Sequence, residues 1–230
     1  MGQHRYTKKE AISIVVSCAE AYRNELEGRS ILLLCTDKHK NLIDVEFTFA
    51  AENYLHLTGL KVKGRYPNTE GAEPTEGVEE LTAKDFYRRC LAHKLSANDF
   101  EMAEDGTTDM KLDVLPSLIC KNLSASMVGD FNGQKPKLVT DKLAGGVKAC
   151  IGFVKDGSGV FVPNTVLKED IRFLINGALR VVAVLRKRTN EQAYEEITYV
   201  AKKVDWERIS PPEYLKALWD IVQCAKSNSN

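Results

Sequence analysis

The segment Asn53–Lys63, NYLHLTGLKVK, sets one imidazole, one hydroxyl and two ammonium groups in a short apolar frame. His56 can carry a proton near neutral pH, Thr58 can bond an oxygen, and Lys61 and Lys63 can hold a phosphate. Together they suit the breaking of a phosphodiester such as that of RNA without a metal, though a second proton carrier is not among them. Read as a strand, the segment projects His56 and Thr58 to one face and Leu55 and Leu57 to the other, as suits a half-exposed strand lining a cleft. A lone histidine between two leucines equally suits a packed, hydrogen-bonded side chain, and spacing alone leaves both readings open.

Other candidates lie further along. Between Lys142 and Arg188 basic residues outnumber acidic ones, Lys148 and Arg186 among them, whereas Glu70–Glu80 is acidic. Such polarity suits a protein that binds phosphate; a solvated strand end and an unrelated acidic loop account for the same residues. Tyr194 and Tyr199 can stack a base or fill a core. His4, His39 and His93 fall in a tail, a polar turn and a helix end, where solvated side chains are expected.

The elements that must position these groups read as follows. A helix over Thr7–Glu27 has Thr7 as its cap, Glu10 three residues on, and Gly28 as its end. Strands at Ile31–Thr36 and Leu42–Phe49 form a hairpin across DKHKN, and PNTEGAEPTEGVEE (67–80) is an exposed loop. Helices follow at Ala83–Leu95 and Thr108–Cys120, the second interrupted by Pro116. The remainder reads mainly as sheet: Ser124–Phe131, Lys137–Thr140, Val147–Lys155, Val160–Pro163 and Ala178–Arg188, with DGSG as the clearest hairpin turn and LKEDIRFL as a short helix. Residues 193–203 fit either period, and Pro212–Lys226 is a closing helix.

The chain has 230 residues, 43% of them apolar, and equal numbers of basic and acidic residues, 32 each. That is enough for a real core, and the neutral balance argues for no class of charged partner. Six scattered cysteines lack the close pairs of a zinc site and the density of a secreted scaffold, so reduced thiols are expected. Phosphate-loop, dinucleotide, zinc-protease and nucleophile-elbow motifs are absent, and neither metal nor cofactor is expected. The start has no apolar leader, and Phe173–Leu185 is too short and broken to span a bilayer, so a cytoplasmic protein without a membrane partner is expected.

YLHLTG (54–59), DFYRRC (85–90), KLDVLPSL (111–118), Asp141–Leu143, Gly152–Phe153, Phe161–Pro163 and Ile197–Lys202 together resemble, in order and spacing, a phage and mobile-element family of Barnase-EndoU-Colicin-RelE-like nucleases. The resemblance runs from Ala11 to about Lys203. It implies a metal-independent ribonuclease of the transesterification type. The implied fold is α+β, with N-terminal helices packed on a curved, mainly antiparallel sheet whose open face holds RNA. Read from its residues, this chain has an N-terminal helix and hairpin, and its helical insert at 83–120 and C-terminal helix depart from the pattern, being larger than a minimal nuclease of this kind needs. One domain is expected over 1–205, with 206–230 packed on it or appended. His56 and Thr58 match the HLTG element and Lys111 the lysine opening the KL..L helix; Tyr199 and Lys202 are placed by the last sheet-like segment. The catalytic set expected is thus His56, Thr58, Lys111 and Tyr199, and the RNA contacts Lys61, Lys63, Lys148, Arg186 and Lys202. RNA is the expected partner, with a protein inhibitor or antitoxin as a further one by analogy. The rival reading is a non-catalytic RNA- or protein-binding module of the same fold.

Overall fold

The computed structural model describes residues 4–62, 81–134, 136–194, 196–202 and 204–227. Helix α1, Lys8–Glu25, starts at a capping box: the Thr7 hydroxyl accepts from the Glu10 amide, and the Glu10 carboxylate accepts from the Thr7 amide at 2.8 Å. Two otherwise orphaned amides are satisfied in this way. Strand β1, Arg29–Thr36, is buried on both faces, with Ile31, Leu33 and Cys35 toward the helices and Leu32 and Leu34 on the opposite side. A strand buried twice over reads as a continuous apolar run. It pairs with β2, Leu42–Phe49, across a turn in which Asp37 accepts from the amides of His39 and Asn41.

Next come a 3-10 turn (Ala51–Asn53), helix α2 (Tyr54–Thr58) and a two-residue strand β3 (Lys61–Val62), which pairs with β4 (Phe100–Glu101). Helices α3 (Ala83–Leu91) and α4 (Thr107–Leu118) flank β4; Thr82 caps α3, Gly106 precedes α4, and Pro116 falls in the last turn of α4. The expected strand over Asn53–Lys63 is therefore corrected: its centre is a five-residue helix. With the strand goes the shared face, because His56 is exposed and Thr58 is fully buried.

The main sheet is built from β1, β2, β5 (Met127–Phe131), β6 (Lys142–Gly145), β7 (Cys150–Lys155), β8 (Phe161–Leu167), β9 (Ile175–Arg188) and β10 (Glu196–Val200). Seven strands in the order β1-β2-β8-β7-β6-β5-β9 return to β1, so the sheet closes like a barrel where a single open face was expected. Closure depends on the length of β9: residues 180–188 pair with β1, and on the other edge 175–180 pair with β5 and 183–186 with β10. All named pairings are antiparallel except β2–β8, a parallel contact at Phe47–Phe161.

The expected strand at Lys137–Thr140 is absent; the chain enters the sheet only at Lys142. The Asn164 side chain holds the segment instead, accepting from the Thr140 hydroxyl and donating to the Val139 carbonyl, so side-chain bonds replace a ladder. Residues 196–200, which fit either period, pair as β10.

The main core lies between the helices and one face of the sheet, around Tyr22, Tyr54, Phe86, Tyr87, Phe47 and Phe153. On the reverse face, Leu32, Leu34, Val182 and Leu185 are covered by Trp206 and by Trp219 and Val222 of α5 (Lys216–Ser227). Cys18, Cys35, Cys90 and Cys150 are buried free thiols, and burial raises each of them. Among the described residues, no helix is long and apolar enough to cross a membrane and no group of three His, Cys, Asp or Glu side chains is gathered to hold a metal.

Candidate active site

Helix α2 ends because Gly59 takes a left-handed conformation, φ 72°. The carbonyls at such an end have no partner within the helix. Two side chains from the first turns of α4 supply partners: Lys111 Nζ donates to the His56 carbonyl at 3.1 Å, and the Thr108 hydroxyl donates to the Gly59 carbonyl at 2.8 Å. Thr58 closes the turn from within, donating to the Leu55 carbonyl at 2.8 Å and accepting from the Leu60 amide at 3.1 Å. A Cβ on Gly59 would lie 2.7 Å from Lys111 Cδ and 3.3 Å from Thr108 Cα, so the glycine also leaves room for the lysine stem. The HLTG signature thus encodes a helix end that seats Lys111. Burial lowers the Lys111 ammonium below the ordinary lysine value.

Lys111 opens onto a groove of about 880 Å³ between α4, the 136–138 segment and β8, whose walls also carry Thr107, Lys137, Thr165, Lys168 and Phe173. The His56 carbonyl is in contact with Lys111, so the exposed His56 ring lies within one side chain's reach of that ammonium. The ring makes no hydrogen bond to a described residue.

Behind the opposite wall, Lys168 Nζ meets Asp113 Oδ2 at 2.6 Å and the Tyr6 hydroxyl donates to Asp113 Oδ1 at 2.6 Å. Burial would raise the Asp113 carboxyl, but the bonds from Lys168 and Tyr6 outweigh it and hold the group below its usual range. The hydrogen bond to Asp113 in turn pushes the Tyr6 phenol up to about 12. The His4 ring stands edge-on to Tyr6, centroids 4.4 Å apart, and the Tyr6 amide donates to the buried Asp109 at 2.8 Å. The N-terminal segment is thereby fastened to α4.

Of the expected residues, Lys111 touches His56 through the backbone carbonyl of the histidine. Thr58 has no exposed surface, and both its bonds serve the turn. Tyr199 and Lys202 line a different groove, about 470 Å³, against the end of α5. Lys61 is exposed on β3, Lys148 is exposed in the turn between β6 and β7, and Lys63 lies outside the described residues, as does the acidic loop. Arg186 is only 8% exposed and lies between Glu25 (3.0 Å) and Glu196 (2.7 Å) while donating to the Glu25 carbonyl, so the expected RNA contact is an internal ion pair.

Sequence reasoning missed Tyr6, Asp113, Lys137 and Phe173; His4 is exposed as expected, with its ring against Tyr6. Asp113 lies inside the KLDVLPSL motif, two residues from Lys111; the others carry no local signal. A third groove of about 540 Å³ follows β2, with Ser30, Glu46, Thr48, Lys142 and Lys187 among its walls. Beside it the Tyr194 hydroxyl is buried without a well-aligned partner, and burial, then the neighbouring Glu46, raises that phenol. The Lys111 groove gathers lysines from three separate segments, Lys111, Lys137 and Lys168, beside the helix end whose carbonyl at His56 bonds Lys111.

The family model described as phage-Barnase-EndoU-ColicinE5/D-RelE like nuclease4 matches residues 14–203, which takes in α2, the Lys111 seat and the whole sheet. No curated protein and no solved structure matches the chain.

Proposed function

The chain belongs to this phage Barnase-EndoU-colicin-RelE-like nuclease family, and on that premise we propose that it is a metal-independent endoribonuclease working in the Lys111 groove. The 2′-oxygen of a ribose attacks the adjacent phosphorus, the P–O5′ bond breaks, and the products are a 2′,3′-cyclic phosphate and a 5′-hydroxyl. His56 takes the 2′-proton or delivers one to the departing 5′-oxygen, a role open to an imidazole because its ring can accept or donate a proton. Lys111 stabilises the charge that builds on the phosphorane, and its desolvated setting strengthens that interaction. The single observation that supports the reading is the bond from Lys111, which lines the groove, to the backbone carbonyl of His56, the residue that bears the imidazole.

Two proton carriers are needed. His4, held against the Tyr6–Asp113–Lys168 chain, is the second imidazole this reading enlists. Thr58 acts by holding the helix end, and Lys61, Lys148, Lys202 and Tyr199 serve as outlying RNA contacts. A phage or mobile-element origin, a cytoplasmic RNA target and a protein inhibitor are parts of the same proposal.

A second reading, a non-catalytic RNA- or protein-binding module, is favoured by one fact: the Lys111 ammonium already bonds a backbone carbonyl. Incubating wild type and His56→Ala with mixed RNA in EDTA separates the two. The nuclease yields 2′,3′-cyclic phosphate ends that the variant does not; a module yields none with either protein.

A further inference from the structure

One wall of the groove is a turn that presents an aromatic ring to solvent. Phe173 is 75% exposed, the position hydrophobic burial least favours for a phenylalanine. A loose loop would let such a ring fold inward, but this turn is held on every side. Ile171 below it is fully buried and Leu174 beyond it is nearly so. The Asp170 carboxylate accepts from the Arg172 amide at 3.0 Å, and the Asn132 side chain donates to the Phe173 carbonyl at 2.9 Å. The Leu174 carbonyl accepts from the Asn132 amide at 2.9 Å. With the flanking residues anchored, the backbone carries the ring into the lining of the groove to which Lys137 and Lys168 also belong.

A flat apolar ring beside ammonium groups is the combination that binds unpaired nucleotides: the cations hold the backbone and the ring stacks a base. A duplex offers no free base face, and its phosphates alone would have no use for the ring. We infer that Phe173 is a base-stacking subsite of the Lys111 groove, and that the groove takes single-stranded rather than paired RNA. The inference rests on the proposed groove but not on its chemistry.

The test uses the full chain and a fluorescent 2′-O-methyl RNA strand, whose blocked 2′-oxygen cannot attack phosphorus, alone or annealed to its complement. Phe173→Ala weakens single-strand binding about five- to a hundred-fold, as expected for the loss of one stacked base. It leaves the weaker duplex binding and the thermal midpoint unchanged. Phe173→Trp retains affinity, and its indole emission is quenched when the strand binds. Equal single-strand affinity in Phe173→Ala and wild type, equal losses on strand and duplex, or no strand binding by wild type would each overturn the subsite. A wild type that binds the strand but cleaves no RNA overturns the nuclease proposal and leaves the subsite standing.

Discussion

Lys111 and His56 are joined through the backbone: the ammonium of one donates to the carbonyl of the other across 3.1 Å. A single contact therefore satisfies the end of helix α2 and ties the residue that bears the imidazole to a cation lining the groove. Structural and chemical roles meet in Lys111, and variants that separate them are informative.

Gly59 and Gly28 both have positive φ, 72° and 66°, but only Gly59 has neighbours that an added Cβ would strike. Gly28→Ala should lose the roughly 1–2 kcal/mol of a left-handed L-residue. Gly59→Ala should lose more, because Lys111 Cδ must also move. Urea denaturation gives both values, and equal losses would mean that the lysine stem yields freely.

Thr58→Val should lower stability by about 1–3 kcal/mol, since it leaves the Leu60 amide unpaired in a buried turn. Thr58→Ser keeps both bonds and should behave as wild type. If Thr58 touches the phosphate instead, the valine variant will show its loss in single-turnover cleavage rate, with an unchanged urea midpoint.

Removing Arg186 strands Glu25 and Glu196, whose side chains are 38% and 43% exposed and can partly rehydrate. Arg186→Met should therefore cost about 2–3 kcal/mol, somewhat below the ~3–5 of a fully buried pair. The salt dependence of RNA binding should keep its slope, because no phosphate contact is lost. A slope reduced by about one would return Arg186 to the RNA interface.

The Tyr6–Asp113–Lys168 chain makes stability depend on pH in a defined direction. A carboxyl held below its unfolded value near 3.9 contributes stability that is complete above about pH 4 and is lost as pH falls through the folded value. Tyr6, raised to about 12, contributes stability present below about pH 10 and lost as pH rises toward 12. The advantage of wild type over Asp113→Asn in urea midpoint should be greatest between these limits and shrink at both ends. A gap that stays constant with pH would show that the chain does not couple to folding.

Elements with local punctuation were readable in advance. Thr7 with Glu10, the Asp37 turn and the DGSG turn between β7 and β8 each satisfy their backbone with side chains a few residues away, and periodicity did the rest for α1, β1 and β2. Segment 53–63 misled because five residues are too few to show a helical period, while His-Leu-Thr-Gly-Leu-Lys-Val mimics alternation. Gly59 ends α2, but the partner that satisfies its His56 carbonyl is Lys111, more than fifty residues away in sequence, which no local pattern reveals. A still longer separation, 107 residues, hid Tyr6 behind Asp113. Arg186 misled for another reason: an arginine in a basic stretch reads as a surface charge until the structure places two carboxylates beside it.

The central claim, that His56 and Lys111 act together on one phosphate, is tested most directly by single-turnover cleavage of a defined RNA strand in EDTA. Wild type, His56→Ala, Lys111→Met and the double variant are compared. Each single change should slow cleavage by about 10²–10⁴ or 10²–10³ respectively, with cyclic-phosphate ends on the residual product. The double variant should fall well short of the product of the two losses, as for groups that act as a unit. Single variants that cleave at the wild-type rate would contradict the account.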